Sequence, residues 1–249
     1  MTTSTAGLFG IENAPNRKGF IVISDALRTD IEVWASRKWD NPIFQMAQSG
    51  TLTRAMITRY IANVTYVIRL TPGHLRAARD GARAHGDERL ARHFEHKLDE
   101  EVGHAAWGES DLESLAQLGA GPSNTTATPS IEALAEFLTQ AIETDPALYL
   151  CHLAFTEYVT VLLGPELLSL IEERCGVPRT SMTVVDNHIE LDRDHAEEGF
   201  GLIDDLVPDP RKVGPMREAL AGIMERFSRF FEEVTTVEAY ESERQVSAA

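Results

Sequence analysis

Apolar residues recur at steps of three and four along almost the whole chain, and no stretch alternates long enough to read as a strand. Leu27, Ile31, Trp34 and Trp39 trace the first stripe. It starts at the capping pair Ser24-Asp25 and runs towards Met46, with Pro42 bending or interrupting it. Gly50-Thr51 breaks the chain; Met56, Tyr60, Val64 and Val67 then carry a second helix to residue 84, with Pro72-Gly73 as a kink or stop. Gly86-Asp87 restarts a third stripe, Leu90, Phe94, Leu98, Val102 and Ala105, which predicts one helix ending near Gly119. The Gly/Pro/Ser/Thr run over 119–130 reads as a loop. Helical spacing returns over 131–143, 146–175, 181–206 and 211–237. Residues 1–20 are polar and aperiodic and read as a loose arm, 21–240 as the domain, and 241–249 as a frayed tail. Neither side of the loop near residue 125 supplies enough apolar faces for a bundle of its own. The expectation is a single all-α domain, a bundle of about seven helices.

Three helices break the apolar pattern with acids and imidazoles. In His188-Ile-Glu-Leu-Asp192-Arg-Asp-His195, steps of four and seven at about 100° per residue return the three side chains to within about 40° of one direction. Two imidazoles and a carboxylate side by side suit a divalent metal; the alternative is a solvated polar face, which Glu190, Arg193, Asp194, Glu197 and Glu198 show this helix also has. On the third helix Glu101 falls inside the arc of Leu98, Phe94, Val102 and Ala105, whereas Glu100 points away from it, and His104 lies one turn beyond Glu101. His93 and His96 fall further round and read as surface residues. Glu157 lies in the apolar stretch 148–163 with no basic residue within a turn, so it needs a metal or a partner from another helix. Together Glu101, His104, Glu157, His188, Asp192 and His195 give three imidazoles and three carboxylates facing inward. Bundle cores that converge such sets hold pairs of iron or manganese ions; zinc, which needs only four ligands, fits less well.

Charge and cysteine content narrow the classes. Lysine and arginine number 23 against 39 aspartates and glutamates, a net charge of −16, which argues against nucleic-acid and anionic-membrane partners. The two cysteines, Cys151 and Cys175, allow neither a disulfide framework nor a cysteine metal cage. No apolar run reads as a bilayer span and the N-terminus does not read as a signal peptide, so the expected setting is cytoplasmic.

The helix order, the segment Asn41-Pro-Ile-Phe-Gln…Gly50-Thr-Leu-Thr-Arg…Arg59-Tyr-Ile, and the motifs Glu101-x-x-His104, Glu157 and His188-x-x-x-Asp192-x-x-His195 resemble the haem-oxygenase-like dimetal oxidases over residues 20–235. The resemblance implies a haem-oxygenase-like bundle that binds Fe(II), two ions with manganese as an alternative, at those six residues. It also implies O2 as co-substrate and oxidation of a small organic acid, amino acid or amine, with an external electron donor and a homodimer as expected partners. Tyr66, Arg69 and Tyr158, with Trp107 and Phe155, are the candidate substrate-pocket walls. One departure stands out: the family draws a further glutamate from the second helix, and here Val67 occupies that place, with His74 two turns on as a substitute. Two other classes use the same scaffold or none of its chemistry. One is a metal-free enzyme, either a TenA-type hydrolase with Cys151 as nucleophile or a cofactorless oxidase resembling pyrroloquinoline-quinone synthase. The other is a non-catalytic helical binding protein. Haem oxygenase itself takes its proximal histidine from the first helix, and no histidine here precedes His74.

Overall fold

The first apolar stripe folds as two helices because Pro42 starts a helix instead of bending one. A computed structural model describes residues 22–119 and 126–236. In it α1 spans Ile23–Ser36 and α2 spans Pro42–Ser49, with Pro42 in the first turn and the Asn41 side chain accepting from the Ile43 amide. The polar arm, the tail and the centre of the 119–130 loop lie outside the described residues. The elements that follow are α3 (Arg54–Ala84), α4 (Glu88–Glu101), α5 (Ala105–Gln117), α6 (Pro129–Thr144), α7 (Tyr149–Leu170), α8 (Thr183–Leu206) and α9 (Val213–Thr235), with no strand among the described residues. The chain is a single all-α domain.

Pro72 neither ends α3 nor divides it. The helix runs on to Ala84, and the Thr71 hydroxyl donates to the Val67 carbonyl at 3.1 Å one turn back. α7 is apolar on every side and packs against α1, α2, α6, α8 and α9, which makes it the centre of the bundle. With its flanking turns, Pro146–Cys175 is after all long and apolar enough to cross a membrane. Its most apolar window is 72% buried inside the protein, as a core helix would be.

The third stripe departs most from expectation. It is two helices, and the break falls at the candidate site. α4 stops at Glu101, Val102 is extended and exposed, Gly103 takes φ +100°, and α5 restarts after His104. Glycine alone adopts that backbone without strain. Asp99, Glu100 and Glu101 crowd the C-terminal turn of α4, which carries no basic residue, so their charges oppose the helix dipole and favour stopping there. Val102 therefore belongs to no buried stripe, and Glu101 faces inward as the last residue of the α4 face that carries Phe94, Lys97 and Leu98.

Candidate metal centre

Glu101 and His104 flank the α4–α5 break, and His188 reaches them from α8. One ligand atom from each of these three lies within 4.8 Å of the other two. The His188 Nδ1 donates to the Val184 carbonyl at 2.5 Å, which leaves Nε2 with the free lone pair of the ring. The His104 ring stacks on Trp107 (centroids 4.3 Å, planes 20° apart) and meets His188 edge-on at 5.1 Å. Its Nδ1 lies 3.3 Å from Glu101 Oε2, yet it is a buried nitrogen without a formed hydrogen bond. Burial pushes the Glu101 carboxyl up, but the imidazoles of His104 and His188 outweigh it and the net shift is downward; burial lowers His188. An ionised carboxylate, two imidazoles and an orphaned buried nitrogen fit a divalent ion of the two-histidine, one-carboxylate type used by non-haem iron.

The register between the two sides is fixed by Asp111 on α5. Its carboxylate accepts from the Val184 amide and the Thr183 hydroxyl, both at 2.7 Å, and so caps α8 from outside. Gly108, one turn before it, lies so close to α3 that a Cβ there would stand 2.0 Å from Thr65 Oγ1. These contacts seat α5 against α3 and α8 and carry His104 to His188.

The other three expected residues lie differently. Glu157 on α7 is buried, and its partner from another helix is Lys97 of α4: the ammonium sits 3.1 Å from Glu157 Oε1 and 3.1 Å from Glu100 Oε2. Glu157 Oε2 faces Gly199 on α8, where a Cβ would stand at 3.4 Å. Glu100 does not point away as the stripe predicted; it is half-buried, pairs with Lys97 and also lies 3.9 Å from His195 Nε2. Asp192 is buried, and His195 Nδ1 lies 3.9 Å from its Oδ1. Burial, then the charges of Glu157 and Glu101, push the Asp192 carboxyl up to about 8. Burial likewise raises Glu157, against the pull of Lys97.

An apolar cavity of about 130 Å³ adjoins the cluster. Glu101, Glu157, His188 and Asp192 line one side, while Val64, Val67, Leu163 and Phe227 are among the apolar residues that close the others. Val67 thus presents a methyl wall where the resemblance calls for a carboxylate. Tyr66, Arg69 and Tyr158 do not line this cavity, and neither do Trp107 and Phe155. Arg69 pairs with Glu109 on the surface, both more than half exposed; the Tyr158 hydroxyl donates to Glu32; Tyr66 packs on the outer core. Their apolar neighbours in sequence misled the reading, because an amphipathic helix presents such residues on more than one face. His74 faces Thr139 and Tyr149, outside the cluster. His96 is exposed, as expected, whereas His93 is half-buried and lowered to about 4 by burial.

Sequence reasoning missed Lys97, Asp111 and His152. Lys97 was detectable, since it lies one helical turn before Glu101 and three residues after Phe94, on the same inward face. His152 lines the cavity and is almost fully buried, which lowers it to about 3.

No family model matches the chain, and no curated protein does. Solved structures do. A domain of unknown function with a haem-oxygenase-like fold from Shewanella denitrificans OS217 superposes with a TM-score of 0.73 at 18% identity, over 90% of this chain and 94% of that one. A TenA homolog from Pseudomonas syringae pv. tomato DC3000 gives 0.68 at 16% identity, over 86% and 93%. A CADD-like protein of unknown function from Nostoc punctiforme PCC 73102 gives 0.63 at 16% identity, over 85% and 96%. The architecture is therefore the haem-oxygenase-like all-α fold, with a candidate metal-binding cluster between α8 and the α4–α5 break.

Proposed function

We propose that this protein is an O2-activating non-haem iron oxidase acting on a small organic acid, amino acid or amine. The observation that carries the reading is the convergence of Glu101, His104 and His188 beside a largely apolar cavity. Glu101, His104 and His188 would hold the metal, with His188 oriented by the Val184 carbonyl and His104 by its stack on Trp107. Bound Fe(II) would supply the redox chemistry with O2, with electrons from an external donor. Manganese suits the same donors.

The remaining roles fall to the chain itself. Val64, Val67, Leu163 and Phe227 exclude water and seat the apolar body of a substrate against the cluster. In the metal-free chain burial pushes the Asp192 carboxyl up to about 8, which places a proton-carrying group at the cavity wall. The metal-free hydrolase reading loses its nucleophile. Cys151 is fully buried outside the cavity, its thiol donates to the Met216 carbonyl at 3.3 Å, and burial raises its pKa, all of which disfavour a thiolate.

Anaerobic loading with Fe(II), followed by desalting and metal analysis, tests the proposal. The expected result is iron retained by the wild-type chain and lost when His104→Ala and His188→Ala are combined. Negligible uptake by the folded wild type, or equal uptake by the double variant, would end it.

A further inference from the structure

Four carboxylates, Glu100, Glu101, Glu157 and Asp192, meet at the junction of α4, α7 and α8, and among the described residues one lysine and the imidazoles of His104 and His195 lie against them. Lys97 is buried along its whole stem, with its side chain only 9% exposed, and its ammonium bridges Glu157 and Glu100 at 3.1 Å each. A lysine is found at that depth only when its charge is matched, and two carboxylates on separate helices match it here. Glu157 and Glu100 are the acids a second ion would need, since Val67 contributes no oxygen to that side. Among the described residues, Glu101, His104 and His188 are the only set whose ligand atoms converge; Glu157, Asp192 and His195 do not.

We propose that Lys97 is the second cation of this centre: its ammonium, set between Glu157 and Glu100, takes the place of a second metal ion, so that the protein binds one divalent ion at Glu101, His104 and His188. The inference rests on the metal reading above and deepens it. An ion bound to Glu157 would stand within ion-pair distance of an ammonium in a dry site, where like charges repel strongly. Lys97 cannot leave without uncovering both carboxylates and dragging a buried stem towards water. The ammonium also answers the excess of acid around the first ion, because it keeps Glu157 from competing with Glu101 for that ion.

Metal stoichiometry decides it. Fe(II) alone is offered anaerobically to the full chain and to Lys97→Met, Lys97→Gln and Lys97→Arg, and bound iron per chain is measured after equilibrium dialysis. Wild type and Lys97→Arg are expected to hold one ion, and Lys97→Met and Lys97→Gln to gain a second. Mn(II) gives an independent readout: an isolated six-line resonance in wild type, and a spin-coupled pair in the two neutral variants. Circular dichroism confirms folding; should Lys97→Met not fold, Lys97→Gln, whose amide can still donate to Glu157, carries the comparison. Two ions in wild type, or no gain in a folded neutral variant, overturns the proposal while leaving the metal reading standing. No uptake by any chain removes both.

Discussion

Asp192 offers a test of the site's electrostatics that needs no substrate and no metal. Its carboxyl lies buried beside the charges of Glu157 and Glu101 and titrates at about 8 in the folded chain, against 3.8 when free of the fold. Between those values the native state holds a proton that the unfolded state has lost, so stability falls as pH rises. His74, His93, His152 and His188, all lowered by burial, act in the opposite sense, an effect that fades only as pH rises past their ordinary value of 6.5. Lys97 is raised above 10.5 and contributes no slope near neutrality, while Glu157 is raised and adds to the effect of Asp192. The histidines are common to wild type and Asp192→Asn, so the difference between the two over about pH 6.5 to 8 isolates this acid. At ~1.4 kcal/mol per pH unit for one proton, the metal-free wild type should lose ~1–2 kcal/mol relative to that variant across it. For a domain of this size that is a fall of ~2–8 °C in melting temperature. Asp192→Asn keeps the shape of the neutral carboxyl and removes its titration, so its stability should rise relative to wild type across the interval and exceed it at pH 8. Thermal melts of chelator-treated protein at several pH values read this directly. Parallel profiles for the two proteins would refute the reasoning.

Two further substitutions test how the helices position the cluster. Asp111→Ala removes two short bonds that cap α8, and should cost ~2–3 kcal/mol, lower the melting temperature by ~4–12 °C and weaken Fe(II) retention as His188 shifts from His104; an unchanged melt would show that α8 is held elsewhere. Gly108→Ala drives a Cβ into Thr65, so α3 and α5 must part at a cost of ~1–3 kcal/mol, with partial rescue by Thr65→Ala measured in the same melts.

Where apolar spacing carried the information, it located the elements well. The starts of α3, α4 and α6 to α9 fall close to the expected positions, because each is an amphipathic or apolar helix entered through a capping or breaking residue. Periodicity failed where the backbone did something that side-chain spacing does not record. Pro42 opened a helix, Pro72 was absorbed within one, and Gly103 ended one inside an unbroken apolar stripe. Glu101, His104 and His188 were legible because acids and imidazoles on inward faces conflict with burial. The partner from another helix that Glu157 requires is Lys97 of α4, a pairing that spacing along either helix alone does not record. Tyr66, Arg69 and Tyr158 were chosen for residue type near apolar positions, and a single helix cannot tell which of its faces meets the cavity.

The break after Glu101 explains why the chemistry gathers where it does. A continuous helix would have carried Val102 and Ala105 inward, and Glu101 and His104 would have lain one above the other along a single face. Ending α4 instead brings the partial negative charge of its last carbonyls to the same point as Glu101, and Gly103 swings His104 round to lie against both that carboxylate and His188. Left to themselves, so many negative groups would repel one another. Protonating Asp192 and inserting the Lys97 ammonium relieve part of that repulsion within the fold, and the part left over, at Glu101, lies where two imidazoles can share a cation with it. On this argument metal affinity and local helix stability are linked: an ion at Glu101 screens the end of α4. Metal loading should therefore slow backbone hydrogen exchange over Lys97–Glu101 more than over the distal start of α4, and equal protection along the whole helix would contradict the linkage.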